Sequence, residues 1–170
     1  MNNFTIQLGS ISSSKKKIYF EIKDQFFEAF TFSDVEHADI SAIATLNKQG
    51  ENISLNLMIN GQINQLACDI CTDELSIEIT GETNVIIKKT YQDIESTDEI
   101  FYIKENENTI DLRQLIFELI ILNTPKKRQH TLDKYGNSIC NKEMVDLVTK
   151  YTQIRKQVSD PRWDTLRNLK

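Results

Sequence analysis

Hydrophobic and polar residues alternate along most of the first half of the chain, the period-two pattern of strands that bury one face. FTIQLGSI and KKIYFEI near the start read as strands by this alternation and by their β-branched content. A short helical segment, DQFFEAF at 24–30, follows with Phe26, Phe27 and Phe30 on one side and Asp24 placed to cap it. Aromatics at this spacing fit a core better than a binding platform. HADISAIATL, KQGE and NISLNLMI then read as strand, turn and strand, with Ile53, Leu55, Leu57 and Ile59 on one face. Asn60-Gly61 is a strong hairpin signal, because both central positions of a type I′ turn need positive φ. QINQLA is therefore expected to return as the next strand. LSIEITGETNVIIKKTY continues the alternation, with a bulge or bend expected at Gly81.

Beyond residue 91 the pattern changes. Residues 92–108 are acidic and turn-rich, lack the ligand spacing and glycine of a calcium loop, and read as a solvated loop in which FYI at 101–103 adds a short edge strand. Helical periodicity takes over at 111–123, where Leu112, Leu115, Ile116, Leu119 and Ile120 form one apolar face. Asp111 is placed as its cap with Gln114 three residues later, Ile110 and Leu115 are placed as a staple, and Asn123-Thr124-Pro125 stops it. This helix must pack on the sheet. The fold class expected is α+β: an antiparallel β-meander or partly closed sheet packed by one central helix, with a helical C-terminal extension. In that extension NKEMVDLVTKYTQIRKQ carries Met144, Leu147, Val148 and Tyr151 on one face, and Asp160-Pro161 opens a short helix anchored by Trp163 and Leu166.

Charge divides the chain where its pattern does. Residues 1–123 hold 9 Lys/Arg against 20 Asp/Glu, net −11, whereas residues 124–170 hold 11 against 5, net +6. The organisation expected is a β-rich acidic body over 1–125, including the packing helix 111–123, and a basic loop and helical tail over 126–170 of the same domain. A basic end can meet a polyanion or simply balance its own acidic body. The first thirty residues show no secretory pattern, and the longest apolar run, LIFELIIL, is too short for a bilayer and is broken by Glu118. A cytoplasmic protein with reduced thiols is expected.

The densest chemistry lies in LACDICTDEL. Cys68 and Cys71 sit two residues apart between strands, a spacing that lets both thiolates reach one ion, as in zinc knuckles. A tetrahedral site needs two more ligands, and His130 and Cys140 would complete a Cys₃His set, although a His-x9-Cys pair departs from common compact spacings. Such a site would be structural, holding the C-terminal loop to the turn at Cys68–Cys71. A redox pair would need a helix N-terminus to lower its thiol pKa, whereas here Asp69, Asp73 and Glu74 would raise it. Two reduced thiols without a ligand are the third reading. No phosphate loop, dinucleotide fingerprint, nucleophile elbow or HExxH is present, and no enzyme activity is expected.

Together these parts resemble the YceD family, the large ribosomal RNA subunit accumulation proteins of bacteria and plant organelles. The matching elements are Cys68-Asp69-Ile70-Cys71, the helix IDLRQLIFELIILNTP, His130 and Cys140 after it, and the closing DPRWDTLRNLK, spanning roughly residues 20 to 170. The family's C-x-R-C carries isoleucine at position 70 here, and the cysteine-rich cluster many members have after the helix is reduced to His130 and Cys140. KKRQH and the DPRW ending look like the Bacteroidetes branch. The resemblance implies a non-enzymatic factor in synthesis, processing or stability of large-subunit ribosomal RNA, with one structural zinc as the candidate cofactor. Lys126, Lys127, Arg128, Arg155, Lys156 and Arg162 are the candidate contacts to a ribosomal RNA precursor or ribosomal protein, with no membrane and no small-molecule substrate. The alternative is an acidic adaptor that binds a basic ribosomal protein and never touches RNA.

Overall fold

The alternating segments become long strands. In the computed structural model, which describes residues 4–11, 15–31, 33, 35 and 37–153, the strands β2 (Lys16–Ile22), β3 (His37–Gln49), β4 (Asn52–Ala67), β5 (Glu74–Thr90) and β6 (Ile100–Lys104) form one sheet in that order. The sheet is open, with β2 and β6 at its edges. A two-stranded sheet pairs β1 (Thr5–Gln7) antiparallel with β7 (Thr109–Asp111). The helices are α1 (Asp24–Phe27), α2 (Arg113–Asn123) and α3 (Lys142–Gln153). The residues group into two units. One comprises Met1–Leu66 and Glu74–Arg128; the other comprises Ala67–Asp73 and Gln129–Lys170.

In the first unit, period-two burial decides the core. Ile53, Leu55, Leu57, Ile59 and Ile63 of β4 are all buried, and their partners on β3 are buried with them: Leu46 opposite Leu55, Ala44 opposite Leu57, Ala42 opposite Ile59. Phe20 and Ile22 of β2 extend the rows across Ala42 and Ile40. Each such aliphatic side chain contributes about 1.5–3 kcal/mol when fully removed from water. Helix α2 lies against β5 with Leu115, Ile116, Leu119 and Ile120 buried, the face the 3.6-residue period marks out.

Several local expectations are overturned. Asn60-Gly61 makes no hairpin; β4 runs through it unbroken from Asn52 to Ala67, with Asn60 opposite Ser41 and Gly61 opposite Ile40. A Cβ at position 61 would collide with the Asp39 carbonyl oxygen and approach the Ile40 Cα to 2.6 Å, so glycine serves close strand approach rather than positive φ. The expected KQGE turn does form, between β3 and β4, with Gly50 at a φ of 64°. Burial likewise continues through Gly81 in phase, without a bulge, and the missing side chain leaves room for Asn123 at the end of α2. The phase slip occurs at Gln65, with φ 54°: burial at odd positions through Ile63 shifts to Leu66 and Cys68.

The remaining differences are at element ends. β6 is the expected edge strand but runs parallel to β5, Ile86 facing Ile100 and Thr90 facing Lys104. Asp24 does not cap α1; its carboxylate accepts from the Ala38 N–H at 3.1 Å and meets the His37 ring at 3.2 Å, fixing the start of β3. Asp111 accepts from the Arg113 N–H at 2.9 Å from just outside the cap position, which Leu112 occupies, and Gln114 pairs forward with Glu118. Among the described residues no helix is long and apolar enough to cross a membrane. The Asp160-Pro161 helix start with Trp163 and Leu166 lies outside the described residues.

Candidate metal centre

The second unit is built from two short turns that face each other with their sulfur and nitrogen atoms. The first, Cys68–Asp73, joins β4 to β5. The Cys68 N–H donates to the Asp73 carbonyl at 3.0 Å, and the Thr72 N–H donates to the Cys68 carbonyl at 2.9 Å. Closing so tightly forces Thr72 to φ 62°, a left-handed conformation that a β-branched residue adopts only when its surroundings demand it. The Ile70 N–H points at the Cys68 Sγ, 3.5 Å away. The contact comes from the backbone of residue 70, so it does not depend on that residue's side chain.

The second turn explains the ten-residue interval that the sequence left unaccounted for. Leu132 bridges Ser138 in antiparallel fashion, and extending that register by two residues sets His130 across from Cys140. On paired strands such residues are cross-strand neighbours on one face. Asp133 closes the loop: its Oδ1 accepts from the Tyr135 and Asn137 N–H groups, both at 2.8 Å, and its Oδ2 accepts from the Asn137 side chain at 3.1 Å. Gly136 supplies the positive φ of 83° that the reversal needs. These donors hold the Asp133 carboxyl below the usual carboxylate range, the Asn137 backbone first among them. Asp133 was not singled out in the sequence, although Asp-x-x-Gly-Asn carries the turn signal.

All four ligand atoms of Cys68, Cys71, His130 and Cys140 lie within 4.8 Å of one another. The Cys68 and Cys140 sulfurs are 3.7 Å apart, and the His130 Nδ1 is 3.5 Å from the sulfurs of both Cys71 and Cys140. A tetrahedral zinc ion with Zn–S of about 2.3 Å and Zn–N of about 2.0 Å has S···S edges near ~3.8 Å and S···N edges near ~3.5 Å. The donor set fits such an ion in kind, and these three separations match its edges. The sulfurs are free thiols.

Electrostatics point the same way. Burial opposes ionisation of Cys68, but backbone hydrogen bonds from Cys71, Ile70 and His130 outweigh it and draw the thiol down to about 6. Burial pushes the neighbouring Cys71 thiol up to about 11. Ser138 lowers Cys140, with His130 adding to the effect. Sulfurs this close cannot all ionise without a cation among them.

Burial supplies a further observation. Among the described residues of the second unit, the buried apolar side chains are Cys68, Cys71 and Cys140, while Leu132, Ile139, Leu147, Val148 and Tyr151 are exposed. The ligand cluster is the unit's interior. A small module with so little apolar burial needs a staple to fold.

Of the predicted contact residues, Lys126 and Lys127 are exposed and Arg128 is half-buried, in the segment after α2 that closes the first unit. Arg155, Lys156 and Arg162 lie outside the described residues. His37, whose ring meets the Asp24 carboxylate, belongs to the first unit.

Comparison with known proteins gives no match to a curated protein and none to a solved structure. A family model does match, over residues 55–170, a span that takes in most of β4, all of β5 and α2, and all four candidate ligands. On that match the chain belongs to the YceD family, the large ribosomal RNA subunit accumulation proteins.

Proposed function

We propose that this protein is a non-enzymatic factor in the synthesis, processing or stability of large-subunit ribosomal RNA, whose C-terminal module is folded around one structural zinc ion. The observation that carries the reading is the cluster itself: three cysteines and a histidine within 4.8 Å, in a unit whose described buried apolar side chains are those same cysteines. Cys68, Cys71, Cys140 and His130 would hold the ion, and an ion so enclosed supplies folding energy rather than a reactive position. Family membership supports the link to ribosomal RNA accumulation.

In this reading the acidic body repels bare RNA, and contact falls to Lys126, Lys127, Arg128 and the basic tail with Arg155, Lys156 and Arg162. The carboxylate-rich sheet then sets orientation by keeping phosphates away from itself. Metal stoichiometry of untagged protein purified without chelator tests the first half: close to one zinc per chain, lost in Cys71→Ala, is expected, and metal-free, fully reduced protein would end it. Ultraviolet crosslinking in cells tests the second half. Adducts to large-subunit ribosomal RNA that disappear in a Lys126→Glu/Lys127→Glu variant are expected, and adducts to protein alone would reject RNA contact.

A further inference from the structure

We propose that the open face of the five-stranded sheet is a docking surface for a basic polypeptide segment bearing an apolar side chain. One face of the sheet carries the core. On the other, Tyr19, Ile43 and Met58 stand in register across β2, β3 and β4, Tyr19 opposite Ile43 and Ile43 opposite Met58. Tyr19 is 69% exposed and Met58 47% exposed. The outward face of an antiparallel sheet is ordinarily polar, so a contiguous apolar row across three strands marks an interaction surface.

Beside the row the surface dips, because the residues along it are short. One hollow of about 400 Å³ is lined by Ser41, Ile43, Met58, Asn60, Thr80 and Glu82. A second, of about 350 Å³, shares Asn60 and Thr80 with the first and adds Asp39 and Glu78. The charged lining of both hollows is carboxylate, from Asp39, Glu78 and Glu82, with no lysine or arginine. Glu82 is already oriented, accepting from the Asn56 side chain at 2.6 Å.

That lining selects its occupant. Carboxylates flanking an apolar strip complement an arginine- or lysine-rich segment whose aliphatic side chain rests on Met58, the charges steering approach and the apolar contact setting residence. Nucleic acid and anionic lipid would meet three carboxylates and are disfavoured. A second copy of the same face would bring like charges together. The proposal stands on the first unit alone and does not require the metal reading.

The test uses the full-length, metal-loaded chain and a fluorescent synthetic peptide alternating arginine with leucine. Anisotropy should show binding that weakens as salt rises, with amide chemical-shift changes at Ser41, Ile43, Met58 and Thr80. Asp39→Asn with Glu78→Gln should weaken it about threefold to tenfold, the product of two exposed charge contacts. Met58→Ser, at an exposed position where folding is not at stake, should weaken it by a comparable factor. Chelation should leave it unchanged. Equal binding of a peptide with serine in place of leucine would overturn the proposal. So would shifts confined to other surfaces, loss of binding on chelation, or a dimer that Met58→Ser converts to monomer.

Discussion

Removal of the proposed zinc ion should unfold the second unit and spare the first. Among its described residues the second unit buries no apolar side chain beyond its cysteines, and these offset little of the entropy of ordering residues 129–153. The strands of the first unit carry their own rows of fully buried Leu and Ile. Linkage sets the size of the effect. A free zinc concentration a thousandfold above the dissociation constant stabilises the bound form by about 4 kcal/mol, equivalent to about a thousandfold in amide exchange protection. Binding should also release at least one proton near neutral pH, since Cys71 is a thiol in the absence of a cation and must ionise to coordinate. Hydrogen exchange with mass spectrometry, run on zinc-loaded and chelated protein, reads both units in one experiment. Protection of β3 and β4 should persist while peptides covering 129–153 lose theirs. Unchanged protection there after complete metal removal would refute the reasoning, and so would unfolding of both units together.

Three further outcomes follow from the first unit. Gly61→Ala should lower stability by about 1–3 kcal/mol in thermal or urea unfolding, because the new methyl meets the backbone of β3 rather than a yielding side chain. Ile116→Ala, at a fully buried position on α2, should cost about 2–5 kcal/mol by the same measurement. The third concerns pH. The Ala38 N–H and then His37 hold the Asp24 carboxyl below its ordinary value, so its contribution is complete above about pH 4 and is lost as pH falls through the lowered value. Asp24→Asn should be less stable than the parent at neutral pH, and the gap should close in acid; a pH-independent difference would contradict it.

Much of this protein was legible in the chain. Period-two burial in β4 and β5, the apolar face of α2 and the candidate ligand set Cys68, Cys71, His130 and Cys140 all follow from which residues can leave water and which can bind a cation. Those are properties of side chains at short range, so sequence determines them. Tertiary structure alone decided the rest. Asn60-Gly61 has the local chemistry of a turn, yet pairing with β3 along the whole of β4 outweighs that preference, and the glycine is needed for what lies across from it. The slip at Gln65, which carries Cys68 to the buried side, has no signal in residue type. The His130–Cys140 interval departs from common compact spacings because the bridge at Leu132 and Ser138, which folds the two into opposition, is a contact between positions and not a pattern along them. Sequence named the candidate ligands; the fold of two unrelated turns brought their donor atoms to within 4.8 Å of one another.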